Sequence, residues 1–150
     1  MAVAVLHPHK YEPSIQLDYT DAQPAQFPLA LSPGSAQLDL DDIVTEIGRV
    51  ARSGELDALL NKHGAIYFHN LKLKNADEFS KFAHAFGWVP HEDIGNPVRR
   101  TIHAKNVASA NEGPNTQPVY PHNEFGLSPH YPSYVLFFCV SAPETGKPTT

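Results

Sequence analysis

Fourteen prolines in 150 residues constrain this chain more than any other feature. Proline fixes φ, lacks an N–H and pushes the residue before it away from helix. Helices and central strands must therefore fit between prolines. Pro8, Pro13, Pro24, Pro28 and Pro33 crowd the first 38 residues, and nine more follow from Pro90 to Pro148. This distribution argues for long loops and against a helical bundle. The chain is still globular in composition, with 41% hydrophobic and 18% charged residues.

Charge and cysteine use exclude several classes. The net charge is −5, and lysine and arginine do not cluster. Neither nucleic-acid binding nor a polybasic membrane surface is expected. The single cysteine, Cys139, rules out an intramolecular disulfide framework and fits a reducing compartment. Tyr134 to Val140 is the longest apolar run, far short of the roughly 20 residues a membrane helix needs. Met1 to Leu6 lacks a basic start and is interrupted at His7-Pro8-His9, so it makes a poor signal peptide. The expectation is a soluble, cytoplasmic protein with no membrane partner.

Periodicity orders the rest. Residues 1–38 read as a proline-rich arm with a short strand near Phe27 to Leu31. A domain is expected from 39 to 150. The acidic start Asp39 to Asp42, followed by Ile43, Ile47 and Val50, predicts a helix that Ser53-Gly54 breaks. Ser53 is expected to cap a second helix through Leu56, Leu59 and Leu60, ending at Gly64. Ala65 to Leu71 reads as a buried strand. Asn75 and Glu78 form a capping-box-like pair ahead of a helix with Phe79, Phe82, Ala83 and Phe86 on one face. Strands are expected at Thr101 to Val107 and, most strongly, at Tyr134 to Val140. Helices early and strands late predict an α+β fold, with helices on an antiparallel sheet.

Nine histidines raise the prior for a metal or proton-transfer site. A histidine followed two residues later by a carboxylate points both groups the same way in extended chain. Imidazole and carboxylate then reach one ion, which is most of a two-His-one-carboxylate triad suited to non-haem Fe(II). His91-Glu92-Asp93 and His122-Asn123-Glu124 both have this spacing. The first lies among Pro90, Gly95 and Pro97 and reads as solvated loop. The second follows the short extended piece Val119-Tyr120 and precedes the strongest apolar run. His130 reads as a turn histidine, His63 as a residue suited to the dipole at a helix C-terminus, and Cys139 as an inert core thiol.

Around His122 the order of segments resembles a known family. Val119-Tyr120-Pro121-His122-Asn123-Glu124, then Tyr131 to Cys139, then Pro143-Glu144-Thr145-Gly146, is similar to the taurine dioxygenase-like (TauD/TfdA) family. These are Fe(II)- and 2-oxoglutarate-dependent oxygenases. The nearest likeness is to the clavaminate synthase-like branch, whose carboxylate ligand can be Glu. Leu59 to Phe68, Asn75 to Gly87 and Ser109 to Pro114 extend the likeness upstream, so it covers about positions 27 to 150 in family order.

The resemblance implies a double-stranded β-helix (jelly-roll or cupin-like) core, incomplete here, with the N-terminal helices packed on it. It implies His122 and Glu124 as metal ligands, and Fe(II) and 2-oxoglutarate as cofactor and co-substrate. Thr149 matches the family's threonine that contacts 2-oxoglutarate, although Lys147 replaces a glycine in that turn. His69-Asn70 stands where many relatives carry Arg-Gly. The family's distal histidine and its 2-oxoglutarate-binding arginine lie downstream of the segment seen here. The expected reaction is hydroxylation or desaturation of a small organic substrate by O2, with 2-oxoglutarate converted to succinate, in a setting such as secondary metabolism. Two alternatives remain open: a truncated, catalytically incomplete remnant or accessory protein, and a plain interaction module. A half barrel further predicts self-association through an unpaired sheet edge at 134–140.

Overall fold

A computed structural model describes residues 6–12, 14–17, 25–34, 38–92, 100–114, 116–126 and 128–141. The chain divides into two compact units. One comprises residues up to Leu73 together with His84–Gly87; the other comprises Lys74–Ala83 and the chain from Trp88 onward.

The first unit is built on a three-stranded mixed sheet in the order β1 (His7–Pro8), β4 (Leu29–Ser32), β5 (Ile66–Phe68). β1 runs antiparallel to β4, while β4 and β5 are parallel with Ala30 opposite Tyr67. A parallel pair needs a long crossover, and helices α1 (Leu40–Arg52) and α2 (Glu55–His63) supply it. Every residue of β4, Leu-Ala-Leu-Ser, is buried, as a central strand covered on both faces requires. β2 (Ile15–Leu17) and β3 (Ala25–Phe27) form a separate antiparallel ribbon, and a cis Phe27–Pro28 bond separates β3 from β4. The proline-rich first segment thus supplies two of the three strands in the sheet, and the sheet is mixed where the sequence suggested an antiparallel one.

The helices start and stop for identifiable reasons. Asp39 caps α1, accepting from the Asp42 N–H at 2.9 Å, while Asp42 reaches back to the Asp39 N–H at 3.4 Å. This reciprocal box satisfies two N–H groups that the helix itself leaves unpaired. Ile43, Glu46, Ile47 and Val50 are buried on one face. Glu46 keeps its charge paired there by a forked contact with Arg49 at 2.8 and 2.9 Å. Gly54, at φ +76°, takes the α2 N-cap position expected for Ser53. The Ser53 hydroxyl donates to the Val50 carbonyl at the end of α1 and also accepts from the Glu55 N–H at 3.4 Å, so it still serves the start of α2. Gly64 ends α2 at φ +72°, its N–H donating to the Leu60 carbonyl at 2.8 Å. Ile43, Ile47 and Leu56 are the largest fully buried side chains. His63 is also buried, and its Nδ1 lies 2.7 Å from the Gln26 carbonyl, a tie to β3 that adds to any dipole effect.

The second unit holds most of α3 (Ala76–Ala85) and a hairpin. Asn75 caps α3 through the Glu78 N–H at 2.9 Å, but Glu78 turns back to the N–H of Lys74, one residue earlier than a strict capping box. Thr101 to Val107 is a tight hairpin rather than one strand. β6 (Ile102–Ala104) and β7 (Val107–Ala108) turn about Asn106 at φ +56°. The buried Ser80 hydroxyl donates to the Lys105 carbonyl at 2.7 Å and ties this turn to α3.

The expectation of a strand at Tyr134 to Val140 is corrected. Those residues join no sheet among the described residues. Propensity there is high, but a strand exists only where a neighbour accepts its ladder. The segment still alternates: Leu136 and Phe138 are half-buried, while Val135 and Phe137 are exposed. Phe138 stacks on Phe79 at 5.0 Å between ring centroids, and Tyr134 on Trp88 at 4.0 Å. Cys139 is exposed, so the expectation of a core thiol is also corrected. The described residues show an α+β arrangement of three helices and small sheets, with no closed barrel among them. No described helix is long and apolar enough to cross a membrane.

Candidate metal centre

His122 and Glu124 lie in the second unit, after the irregular extended piece Val119-Tyr120. The backbone fixes the imidazole first. His122 Nδ1 is 2.7 Å from the Tyr120 carbonyl oxygen. A carbonyl can only accept, so Nδ1 carries the proton in this contact. In the neutral ring, Nε2 then bears the lone pair, which is the form a metal takes.

That Nε2 faces the carboxylate. It lies 3.7 Å from Glu124 Oε1. The two donors face each other although Glu124 lies in a turn rather than in extended chain. Two ligands at right angles on one transition-metal ion, each bonded at about 2.1 Å, sit about 3 Å apart. The pair therefore fits one edge of a coordination sphere after closing by less than about 1 Å. His122 is the more exposed of the two, at 55% against 29% for Glu124, so the imidazole has the greater freedom to make this adjustment.

A tight turn holds Glu124 in place. The Gly126 N–H donates to the Asn123 carbonyl at 3.2 Å, and the Ser128 N–H to the Phe125 carbonyl at 2.9 Å. Phe125 occupies the left-handed region at φ +55°. For a bulky side chain this costs on the order of 1–2 kcal/mol and persists only when surroundings enforce it. The His91 ring packs edge-on against Phe125, with centroids 4.6 Å apart. Residues 91–92 are loop with Glu92 exposed, as expected, but the His91 ring is half-buried against Phe125 rather than fully solvated. Asp93 lies outside the described residues.

The pair opens on a cleft of about 540 Å³. Its lining combines the polar His122, Asn123, Glu124 and Ser128 with the apolar or aromatic Phe125, Tyr131, Pro132 and Val135. Among the described residues no group of three His, Cys, Asp or Glu side chains gathers around one point. Thr149 lies outside the described residues, as does the turn that contains it.

Sequence reasoning missed one neighbour. Arg100 Nη2 lies 3.8 Å from Glu124 Oε2, the oxygen turned away from His122. It is 24 positions upstream, and no periodicity links the two. Two other histidines of this unit make local contacts. His103 Nε2 is 2.9 Å from the Ser109 hydroxyl, and the His130 N–H donates to Ser128 Oγ at 3.1 Å. Glu112 accepts from the Thr101 N–H at 2.8 Å. That bond, joined by the Ser109 and Thr101 hydroxyls, holds its carboxyl below the usual range. Asn111 Oδ1 accepts from the Gly113 N–H. Both residues thus brace their own loop.

Comparison with known proteins gives two results. The family model for "Taurine catabolism dioxygenase TauD, TfdA family" matches residues 25–150. A clavaminate synthase-like protein from Arabidopsis thaliana is 29% identical over 126 residues, which cover 82% of this chain. The matched region amounts to 38% of that relative's own length.

Proposed function

Because the chain belongs to the TauD/TfdA family, we propose that it supplies His122 and Glu124 to the Fe(II) centre of a 2-oxoglutarate-dependent dioxygenase acting on a small organic substrate. The observation that carries this reading is the Tyr120 carbonyl on His122 Nδ1, which leaves Nε2 directed at the Glu124 carboxylate. A solvated His-x-Glu pair has no need of a fixed tautomer or a shared facing side.

Fe(II) held there, with 2-oxoglutarate and O2, supplies oxidative decarboxylation to succinate and CO2 together with oxidation of a substrate C–H bond. The chain's own residues have simpler tasks. Tyr120 fixes the imidazole, and the turn at Asn123 to Gly126 places the carboxylate. Phe125, Tyr131, Pro132 and Val135 offer an apolar wall against which the carbon skeleton of a substrate packs and water is thinned. Thr149 is proposed to contact 2-oxoglutarate. A hydroxylation or desaturation in secondary metabolism is the finer reading, and the family alone does not name the substrate.

The experiment is an assay of succinate formed from 2-oxoglutarate on admitting O2 to the Fe(II)-treated chain, with His122→Ala as control. Succinate that depends on Fe(II) and on His122 supports the enzyme. Succinate formation that is unchanged in His122→Ala counts against the role of the pair.

A further inference from the structure

We propose that Arg100 is a positioning residue for the ligand pair: it engages one oxygen of Glu124 so that the other is presented to a divalent cation beside His122. The proposal rests on the reading of His122 and Glu124 as metal ligands.

Three observations carry it. The two contacts of the carboxylate use different oxygens. Oε2 faces Arg100 Nη2 at 3.8 Å, and Oε1 faces His122 Nε2 at 3.7 Å. An ion entering between Nε2 and Oε1 therefore leaves the arginine contact in place. Second, Arg100 stands on anchored backbone. The next residue, Thr101, donates its N–H to Glu112 at 2.8 Å and accepts from the Ser109 N–H at 2.9 Å, at the root of the β6–β7 hairpin. Third, the Arg100 and Glu124 side chains are each about two-thirds covered, at 32% and 29% exposure, so neither sweeps freely through solvent.

The physical role follows from the freedom of glutamate. An unrestrained Glu124 has three side-chain torsions, and it would present either oxygen, or both, to an ion. Fixing that choice before binding removes an ordering cost at the moment the ion arrives. Partners of ligating groups typically contribute 10–100-fold in metal affinity in this way. The arginine charge also repels a cation. That repulsion acts across the carboxylate, at longer range and through a part-exposed site where water screens it. The orienting effect acts on the ligand itself and prevails.

The test is a titration with Co2+, read by its visible absorption, on the full 150-residue chain. Arg100→Gln is expected to bind Co2+ about 10–100-fold more weakly, with a changed absorption envelope as the carboxylate changes its mode of attachment. Arg100→Met keeps the packed stem without the charge and is expected to show the same loss. Arg100→Lys retains a cation in place of a single Nη2 contact and is expected to recover most of the affinity. Circular dichroism without Co2+ should be unchanged in all three. Gln and Met variants that bind Co2+ as tightly as the parent, or more tightly, overturn the proposal. His122→Ala separates the two levels. If it abolishes Co2+ binding while Arg100→Gln has no effect, the ligand pair stands and the role of Arg100 falls. If His122→Ala changes nothing, the reading of the pair falls and the proposal falls with it.

Discussion

Ile47→Ala measures the packing of the first unit directly. Ile47 lies one turn after Ile43 on the inward face of α1 and is 1% exposed. Truncation to alanine removes three carbons. At about 0.8 kcal/mol per buried methylene the transfer loss is roughly 2.4 kcal/mol. Incomplete collapse of the cavity adds about 1 kcal/mol, for a total of about 3–4 kcal/mol. Ile47→Val removes one carbon and should cost about 1 kcal/mol. Urea unfolding followed by far-UV circular dichroism is the suitable assay, since α1 and α2 carry most of the described helix. The sole tryptophan, Trp88, belongs to the second unit and reports elsewhere. The expected signature is a roughly threefold ratio between the alanine and valine losses. Losses under about 0.5 kcal/mol for both variants, the range of surface substitutions, would refute the placement of Ile47 in the core.

Other perturbations address separate features. Gly48→Ala should stabilise the chain by about 0.5–1 kcal/mol. A Cβ there first meets the end of the flexible Arg52 side chain at 3.0 Å, which can give way, and then the Ala85 carbonyl at an ordinary 3.5 Å; a melt that falls instead contradicts that geometry. Gly64→Ala should destabilise by about 1–2 kcal/mol, because φ is +72° and the Phe27 ring lies 3.4 Å from the new methyl. The depressed carboxyl of Glu112 stabilises the fold above the ordinary carboxylate range, and this contribution is lost as pH falls through its lower folded value. Glu112→Gln should therefore lower the melting temperature at neutral pH and converge with the parent in acid; a constant gap across that range counts against it. Cys139, being exposed, should react with a thiol reagent in the native state, and protection until denaturant is added would place it in a core.

What was legible in the sequence was mostly local. Asp39, Gly64 and Asn75 mark helix ends because caps and left-handed stops act through one or two residues. The association of His122 with Glu124 is suggested by an i, i+2 spacing that needs no distant partner, although a turn rather than a strand places Glu124. Pairing was not legible. Tyr134 to Val140 has the composition of a strand, yet its ladder depends on neighbours that composition does not specify. β1 was hidden in a proline-rich stretch, and its two residues pair with Leu31 and Ser32 across more than 20 positions. The hairpin at 102–108 was read as one strand because its turn uses Asn106 in the left-handed region, without the glycine that usually advertises such a turn. Arg100 reached Glu124 through tertiary structure alone. The family likeness, by contrast, rests on the order of several short segments, and the match over residues 25–150 shows how much information that order holds.

The central claim is that His122 and Glu124 hold Fe(II). Its most direct test is visible absorption after anaerobic addition of Fe(II) and 2-oxoglutarate to the purified chain. The account predicts a metal-to-ligand charge-transfer band that disappears in His122→Ala and in Glu124→Ala while both variants remain folded. A band of undiminished strength in either variant, or none from the folded parent, would contradict it.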